Sequence, residues 1–485
     1  MSTGLNSTAS TCLAAGRQDQ LPSVASCGVS ERASNLFPAQ KPQDSLLSKI
    51  SCIAFAIATT PLQLLAEGSF TRVASRWKAA ELLLNKDFRY LWASNALWWQ
   101  CRWMEELMIG WVALELTDSA AMVAFVAFLR TAPFLLLGPF IGTVVRRVSY
   151  RWLIVRSQLI NVLVAGGLGV LGFLDMLSFW PVAVGSLLIG LGGAFDWSSR
   201  RSMVPDLVGK DRMMDAMMLE NIPQNISRIL GPFLSGMILA QFGTRGCFPV
   251  LWVFYMAGFV LLFRLSDIRS QDQPAERASP WEDLRDGLRF SWGNQRIRGV
   301  LGITFFMNAF TFPFHALLPV FARDVLHQGP QELGLLAAGI GVGSFIGVAL
   351  VTTFNRRHSV GWVFAGSSFL SSLMIMGFAL STSFPVSLFL LVLSGIGQAG
   401  FSVMQSAMIL EATPDALRGR VMGALVLAIG GGPPGRLQIG GLATFLGTPV
   451  ALCLSAGIGA LGILWVTWRL PGFRANAERG APGGE

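Results

Sequence analysis

Charge is what this chain has least of. Asp, Glu, Lys and Arg make up 13% of its 485 residues, about half the share of a soluble globular domain, and that excludes a chain whose whole surface faces water. Histidine is scarcer still. His315, His327 and His358 are the only three, too few for a zinc site. The six cysteines, Cys12, Cys27, Cys52, Cys101, Cys247 and Cys453, form no Cys-x-x-Cys pair and have no histidine nearby, so neither a metal centre nor a disulfide framework is indicated. The stretches "GGGPPG" (430–435) and "GIGALG" (457–462) fit the spacing Gly-x-Gly-x-x-Gly, but both lie in apolar runs of membrane length and follow no strand, which excludes a dinucleotide fold. "VGKDR" lacks the rest of a phosphate-binding loop. No nucleophile–base arrangement is recognisable, so the reading is of a non-enzyme without a cofactor.

What the chain has in abundance is hydrophobic sequence, 52% of residues at a mean hydropathy of +0.54. Runs long enough to cross a bilayer as helix, about 20 residues, recur after residue 90. They fall at roughly 91–114, 120–145, 152–174, 179–199, 218–240, 248–265, 299–321, 332–354, 360–380, 385–409, 420–445 and 449–468. The fold class is therefore an all-α membrane protein of about twelve transmembrane helices. The net charge of +9 does not point to nucleic acid, because the basic residues sit in alternate short loops. Arg146, Arg147 and Arg151 follow the second span, Arg200, Arg201, Lys210 and Arg212 the fourth, Arg356 and Arg357 the eighth, Arg418 and Arg420 the tenth, Arg469 and Arg474 the twelfth. The opposite loops hold Arg245 and Arg323. The positive-inside rule then places both termini and the central loop in the cytoplasm.

Residues 1–80 read as a disordered or interfacial extension. The apolar run at 46–66 is interrupted by Pro61, lies far from Met1 and has no clear cleavage site, which favours an interfacial segment over a secretory signal. Residues 81–265 would form one six-helix bundle, 266–298 a cytoplasmic linker, 299–470 the second bundle and 471–485 a disordered tail. In the linker, Ser279, Pro280 and an acidic first turn open a capped helix, and Trp281, Leu284, Leu288 and Trp292 recur near helical spacing, so an amphipathic helix along the inner membrane face is expected. The halves also echo each other: "VPDLVGKDRMMDA" (204–216) resembles "TPDALRGRVMGA", and "GPFIGTVVRR" resembles "GSFIGVALVTTFNRR". Same-sense copies imply bundles related by an axis along the membrane normal.

Four stretches carry a family resemblance: "LELTDSA" (114–120), "RRSMVPDLVG" (200–209), "NISRILGP" (225–232) and "PDALRGRVMG" (414–423). Residues from about 86 to 470 resemble the major facilitator superfamily, in its enterobactin-exporter and macrolide-efflux-like branch. The resemblance implies two six-helix bundles around a central cavity, alternating access, and the outward direction of transport. One departure stands out. The superfamily's loop after the second span usually reads Gly-x-x-x-Asp-Arg; here Gly142 is kept and Arg146 stands in the acidic position, which puts the loop's charge lock in doubt unless Asp206 or Asp211 substitutes.

Charges inside the spans are the candidate site, since an ionised group at mid-membrane costs about 2.5–3.5 kcal/mol on insertion scales and faces protein or water. Arg102, Glu105 and Glu106 share a broad face of the first span. Arg130 lies mid-way along the second, Asp196 in the fourth, Asn225 and Arg228 in the fifth and His315 in the seventh. Together they are read as the substrate and proton pathway. A carboxyl there is pulled two ways, by desolvation toward the neutral acid and by arginine toward the carboxylate. Glu105 is slightly favoured over Glu106 as proton carrier, with pairing that merely fixes helix packing as the bland alternative. In the fifth span Pro232 removes a backbone hydrogen bond while Gly231 and Gly236 permit a close neighbour; in the eighth, Gly339, Gly343 and Gly347 recur at fourfold spacing. A close crossing of the two is expected, with Gly231 opposite Gly343, serving gating or plain packing.

The function these observations imply is a secondary active transporter of the inner membrane, a monomeric proton-coupled exporter of a small amphiphilic molecule, siderophore- or drug-like, in contact with membrane lipids. An importer or flippase of a metabolite or lipid is the alternative within transport. A non-transporting receptor or scaffold is the alternative outside it. Substrate identity, coupling ion and stoichiometry are not written in the sequence.

Overall fold

The computed structural model describes residues 78–266, 280–354, 359–414 and 417–474; the expectations for residues 1–77 and for the rest of the linker lie outside these. After a short 3-10 helix at Lys78–Leu84 come α1 (Lys86–Thr117), α2 (Ala120–Arg147), α3 (Tyr150–Phe173), α4 (Phe179–Val208) and α5 (Met213–Leu262). The linker carries α6 (Pro280–Gly293). Then follow α7 (Gln295–Phe306), α8 (Phe314–Val320), α9 (Pro330–Phe354), α10 (Val360–Ala379), α11 (Phe384–Ala412), α12 (Arg418–Ile429), α13 (Gly432–Leu446), α14 (Thr448–Arg469) and α15 (Pro471–Arg474).

Local chemistry sets these limits. The Asn85 side chain accepts hydrogen bonds from the Asp87 and Phe88 amides at 3.0 and 3.4 Å, starting α1 four or five residues before the apolar run. Asp118, at φ 48°, ends it. The Asn294 side-chain oxygen Oδ1 accepts from the Arg296 amide at 2.9 Å and starts α7. Gly209 at φ 78° and Gly447 at φ 81° supply the left-handed turns after α4 and α13.

Nine helical stretches among the described residues are long and apolar enough to cross a membrane, fewer than the twelve expected, and each shortfall has a physical cause. The first span is too highly charged to qualify by composition. The fifth and sixth run together as α5, whose 50 residues would extend about 75 Å, more than twice a hydrocarbon core. Gly243, at φ 60° and ψ −168°, is the non-helical joint between them. The eleventh, expected as one rod, breaks into α12 and α13 at "GGGPPG", the glycine–proline stretch set aside above as a nucleotide motif. The seventh is also irregular: π-helical turns at Met307–Thr311 and Phe321–Val325 flank α8, with Pro313 and Pro319 between.

Helices α1 to α5 pack chiefly on one another, as do α7 to α14. The halves meet through α5 on α9, α2 on α13, and α8 on α1 and α2. The core shows where they are joined. One continuous apolar cluster runs through residues of both halves at the end bearing Asp118, from Leu107–Leu114 and Val123 to Phe314–Phe321, Leu333 and Ile439. At the other end each half has its own cluster, around Phe88, Leu91 and Tyr150 in one and around Ile297, Val300 and Phe364 in the other. The molecule is thus closed at the Asp118 end and divided at the arginine-loop end.

At the edges the structure adds one contact and corrects one expectation. The described part of α6 docks on the second half: Asp286 pairs with Arg420 at 3.1 Å, and Gly287 is buried against the Arg420 backbone. The tail does not begin as disorder, since α15 turns Phe473 fully inward and the Gly472 amide donates to Gln295 Oε1 at 2.8 Å.

Candidate functional site

The first-span charges do meet Arg130, and one of them, Glu106, lines a cavity between the halves. Arg130 is only 4% exposed. Its Nε lies 3.0 Å from Glu105 Oε1, its Nη1 3.0 Å from Glu106 Oε2, and its Nη2 donates to the Arg102 carbonyl at 3.1 Å. Gly190 of α4 backs directly on the Arg130 backbone, and a side chain there would push α2 away. Glu105 is 1% exposed and both its oxygens are taken, one by Arg130 and the other by the Tyr255 hydroxyl, which donates from the second stretch of α5. Arg102 Nη1 stands 3.7 Å from Glu105 and its guanidinium lies over Phe134 and Trp98 at 5.4 and 5.8 Å.

Glu106 differs in kind from its neighbour. It is 31% exposed, lines the cavity, and its second oxygen lies 4.0 Å from Arg436 Nη2 on α13 of the other half. The break between α12 and α13 places Arg436 there, and the irregular seventh span does the same for His315. Trp103, Leu107, Arg228, Pro232, His315 and Pro319 complete much of the lining. Arg228 packs over Trp103 at 5.5 Å and donates to Gln398 Oε1 across the halves at 3.3 Å; Gln398 Nε2 in turn donates to Ser394. Water-sized spheres have about 40 Å³ in which to centre, room for a few waters. The arrangement can hold an acidic group on its arginines, a donor on Glu106 and an aromatic face on Trp103, once it opens. Among the described residues no three His, Cys, Asp or Glu side chains are grouped to hold a metal.

A family model described as transmembrane secretion effector, of the major facilitator superfamily, matches residues 79–481. The chain belongs to that family. It is similar to the multidrug efflux pump Tap of Mycolicibacterium fortuitum, 25% identical over 73% of this chain and 89% of Tap. It is also similar to the enterobactin exporter EntS of Shigella boydii, 28% identical over 61% of this chain and 71% of that one. Among solved structures the fold resembles the nucleoside transporter NupG (TM-score 0.61, 14% identical) and a D-xylose–proton symporter (TM-score 0.62, 11% identical), each match covering 80% of this chain and 99% of the other. As a secretion effector of the major facilitator superfamily, the chain is a multi-pass membrane transporter of the exporter type acting on small molecules, not an enzyme.

Within this major facilitator frame the remaining expectations separate. Asp196 does not join the central cluster: it pairs with Arg200 at 2.8 Å, one helical turn away. Arg200, read from sequence as a loop charge, is 2% exposed and donates to Ser94 at 3.1 Å, because α4 continues to Val208. Asn225 is exposed and bonds to the Asn221 carbonyl of its own helix, so it lies off the cavity. The close crossing of the fifth and eighth spans exists, but through other glycines. A Cβ on Gly236 would lie 2.6 Å from the Pro330 carbonyl and 2.8 Å from Gly334, and one on Gly341 2.7 Å from the Arg228 carbonyl. Gly231 faces Trp103 on α1, while Gly339, Gly343 and Gly347 face α11 at Leu388, Val392 and Ile396. Gly142 and Arg146 fall in the last part of α2, whose side chains are outside the described residues.

Tyr255 and Gln398 are the functional candidates missing from the expected set; Arg436, with His315, is legible in the sequence as a buried ionisable group of the second half. Tyr255 had a usable signal, being one of only three tyrosines in the chain and placed in an otherwise apolar span. Gln398 had none beyond polarity.

Proposed function

We propose that the chain is a proton-coupled secondary exporter of small amphiphilic molecules, and that Glu106 is the group for which proton and cargo compete. The observation that carries this is the position of Glu106: partly exposed in the cavity and touched by arginines from both halves, Arg130 at 3.0 Å and Arg436 at 4.0 Å. Cargo donors take the Glu106 carboxylate while cargo acceptors face Arg228, Arg436 and His315. Protonation from the outer side removes the negative charge, weakens cargo binding and releases it outward. Return of the proton to the inner side restores the carboxylate for the next cargo. The sign is that of an antiporter, because proton and cargo do not share the site. Glu105, dry and fully bonded, fixes the geometry instead of exchanging a proton, so the weight shifts from Glu105 to its neighbour.

The same reading puts the chain in the inner membrane as a monomer with both termini and the linker cytoplasmic, in twelve crossings that include charged α1, both stretches of α5 and the broken α12–α13 pair. The two halves are taken as residues 81–265 and 299–470. Its support is the arginine-rich loops gathered at one end and the undivided core at the other. A reporter fused after residue 298 should be active only in its cytoplasmic form; a strong periplasmic signal overturns the orientation.

The central test compares Glu106→Gln with Glu105→Gln in cells stripped of their own efflux pumps and loaded with a panel of fluorescent amphiphiles. Glu106→Gln should accumulate as folded protein, lose proton-driven efflux and keep cargo exchange in vesicles without a gradient, but only at raised cargo concentration, since Gln lacks the charge that holds the cargo donor. Glu105→Gln should lose folded protein first. Undiminished proton-driven efflux by Glu106→Gln would remove the proposal.

A further inference from the structure

The same two helices that line the central cavity line a second one nearer the arginine-loop end. There α1 contributes Asn95, Trp98 and Trp99, and α5 contributes Met217, Glu220 and Gln224, while α4 closes the side with Trp197, Arg200 and Arg201. The cavity's empty volume of about 500 Å³ is close to the 480 Å³ of the central cavity. On α1, Asn95, Trp98, Trp99, Trp103 and Glu106 follow one another by three or four residues or by one, and on α5 Met217, Glu220, Gln224, Arg228 and Pro232 do the same. Both cavities therefore open along one strip of each helix. The eight residues from the middle of one α1 set to the middle of the other correspond to about 12 Å of helix.

The polar groups of this second cavity are incompletely used. Arg200, at 2% exposure, gives Nε to Asp196 and Nη1 to Ser94, but its Nη2 has no hydrogen-bond partner among the described residues. A buried guanidinium donor left unpaired is costly; Nη2 has almost no accessible surface as it stands, so a ligand acceptor satisfies it once the Arg200 side chain turns toward the cavity it lines. Arg200 lies over Trp98 at 5.8 Å and Arg201 over Trp197 at 4.7 Å, so the cations sit beside aromatic faces. Trp98 and Trp99 meet edge to face at 4.9 Å; Trp98 is buried, while Trp99 and Trp197 are partly exposed among the residues that line the cavity. Glu220 is held by the Asn95 amide, which donates to its Oε1 at 2.9 Å, and is thereby engaged at one oxygen.

We propose that this cavity is a loading site for an aromatic anion, in which the free Nη2 of Arg200, with Arg201, takes the acidic group and the tryptophans take the ring. Cargo binds here from the arginine-loop end and then passes along α1 and α5 to the central cavity, where Arg228 and Arg436 receive the same acidic group. The inference rests on the exporter reading and narrows its cargo to amphiphiles carrying an acidic group on an aromatic body.

The test uses the full chain in phosphatidylcholine nanodiscs and 4-benzoylbenzoate as a photoreactive probe, with labelled residues mapped by peptide mass spectrometry. Neutral benzophenone and an aminomethyl benzophenone serve as uncharged and cationic counterparts. The carboxylate should label Met217 or the Trp98–Trp99 peptide saturably and about tenfold more than either counterpart, the ratio expected for one charge-assisted hydrogen bond. Met217→Trp, which fills the cavity, should abolish that labelling. The charge-neutral pair Asp196→Asn with Arg200→Gln, which leaves no buried ion alone, should reduce it to the level of the neutral probe in protein that still elutes as a folded monomer. Equal labelling by all three probes overturns the proposal, as does labelling that survives Met217→Trp. Displacement by phosphatidylglycerol included in the nanodisc, but not by free carboxylate, would assign the cavity to a lipid headgroup and overturn it likewise. Labelling reads binding alone: a chain that binds the carboxylate here yet moves no cargo sinks the exporter reading, whereas one that exports without such labelling sinks only this inference.

Discussion

Replacing Arg130 by Gln should destabilise the fold more than any other single change in the central cluster, and the reason can be worked from its contacts. The guanidinium holds Glu105 and Glu106 at 3.0 Å each and the Arg102 carbonyl at 3.1 Å. Without it Glu105, 1% exposed, keeps the Tyr255 hydroxyl and only a looser charge partner in Arg102, at 3.7 Å. Removing one member of a buried ion pair costs about 3–5 kcal/mol, and the Arg102 contact with the partial hydration of Glu106 favours the lower figure. About 3 kcal/mol is a factor of roughly 150 in the ratio of folded to unfolded protein. Glu105→Gln removes one charge-assisted bond and leaves Arg130 its Glu106 partner, at about 1.5–3 kcal/mol. If pairing is the cause, the double variant must cost less than the sum by about 0.5–3 kcal/mol, the usual coupling of residues in contact. Unfolding of the purified chain in mixed micelles of increasing sodium dodecyl sulfate, followed by circular dichroism, measures all four corners of the cycle. Additive costs, or an Arg130→Gln midpoint equal to that of the parent, would refute the reasoning.

Gly236→Ala meets the Pro330 carbonyl at 2.6 Å and Gly334 at 2.8 Å across the two halves, so it should part them at the Asp118 end without unfolding either; spin labels at exposed Leu174 and Leu380 should move apart, and an unchanged distance counts against it. Gly343→Ala, which runs into the Val392 backbone within one half, should instead lower the yield of folded protein, while Gly441→Ala, with open space around it, should do neither. Arg323→Ala removes the 2.7 Å pair with Asp118, but that aspartate is 79% exposed and such pairs contribute about 0.2–1 kcal/mol, so the same labels should report a shift of at most about fivefold in conformer ratio. Phe473→Ala empties a fully buried position against Gly299 and Phe364 and should cost about 3–5 kcal/mol; equal micelle stability of variant and parent would show that α15 is not part of the core.

The membrane class was legible because hydropathy is a bulk property, and lipid imposes one structure on any apolar run of about 20 residues. The breaks were not. A glycine–proline stretch such as 430–435 reads equally as a helix interrupted by bends or as a mere weak point, since whether it leaves the helix depends on what packs there, Leu135 against Gly430 and Ala309 and Phe305 against Gly431. The π-helical turns around α8 are still less visible, because they arise from one extra residue per turn accommodated by neighbours. Small-residue spacing announced that the eighth span is closely approached. It did not say by which helix, because Gly334 and Gly341 face α5 while Gly339 and Gly343 face α11, on opposite sides of the same rod.

The site was legible to the extent that its members lie on one helix. Arg102, Glu105 and Glu106 could be grouped from spacing alone, and Arg130 from depth. What spacing could not do is rank two adjacent glutamates, because 100° of helix rotation between them decides everything. Glu105 turns toward α2 and the far stretch of α5, where Arg130 and Tyr255 close around it. Glu106 turns toward the other half, where the eleventh span happens to be broken and presents Arg436. An apolar neighbour such as Met104 suggested a desolvated, responsive Glu105, yet complete desolvation with both oxygens bonded makes a carboxylate rigid. A group exchanges protons when water and a moving partner both reach it, and of the two only Glu106 has a partner on the opposite side of the cavity. The residue proposed to couple the halves is therefore singled out by what the second half brings to it, Arg436 at 4.0 Å, which no reading of the first span by itself contains.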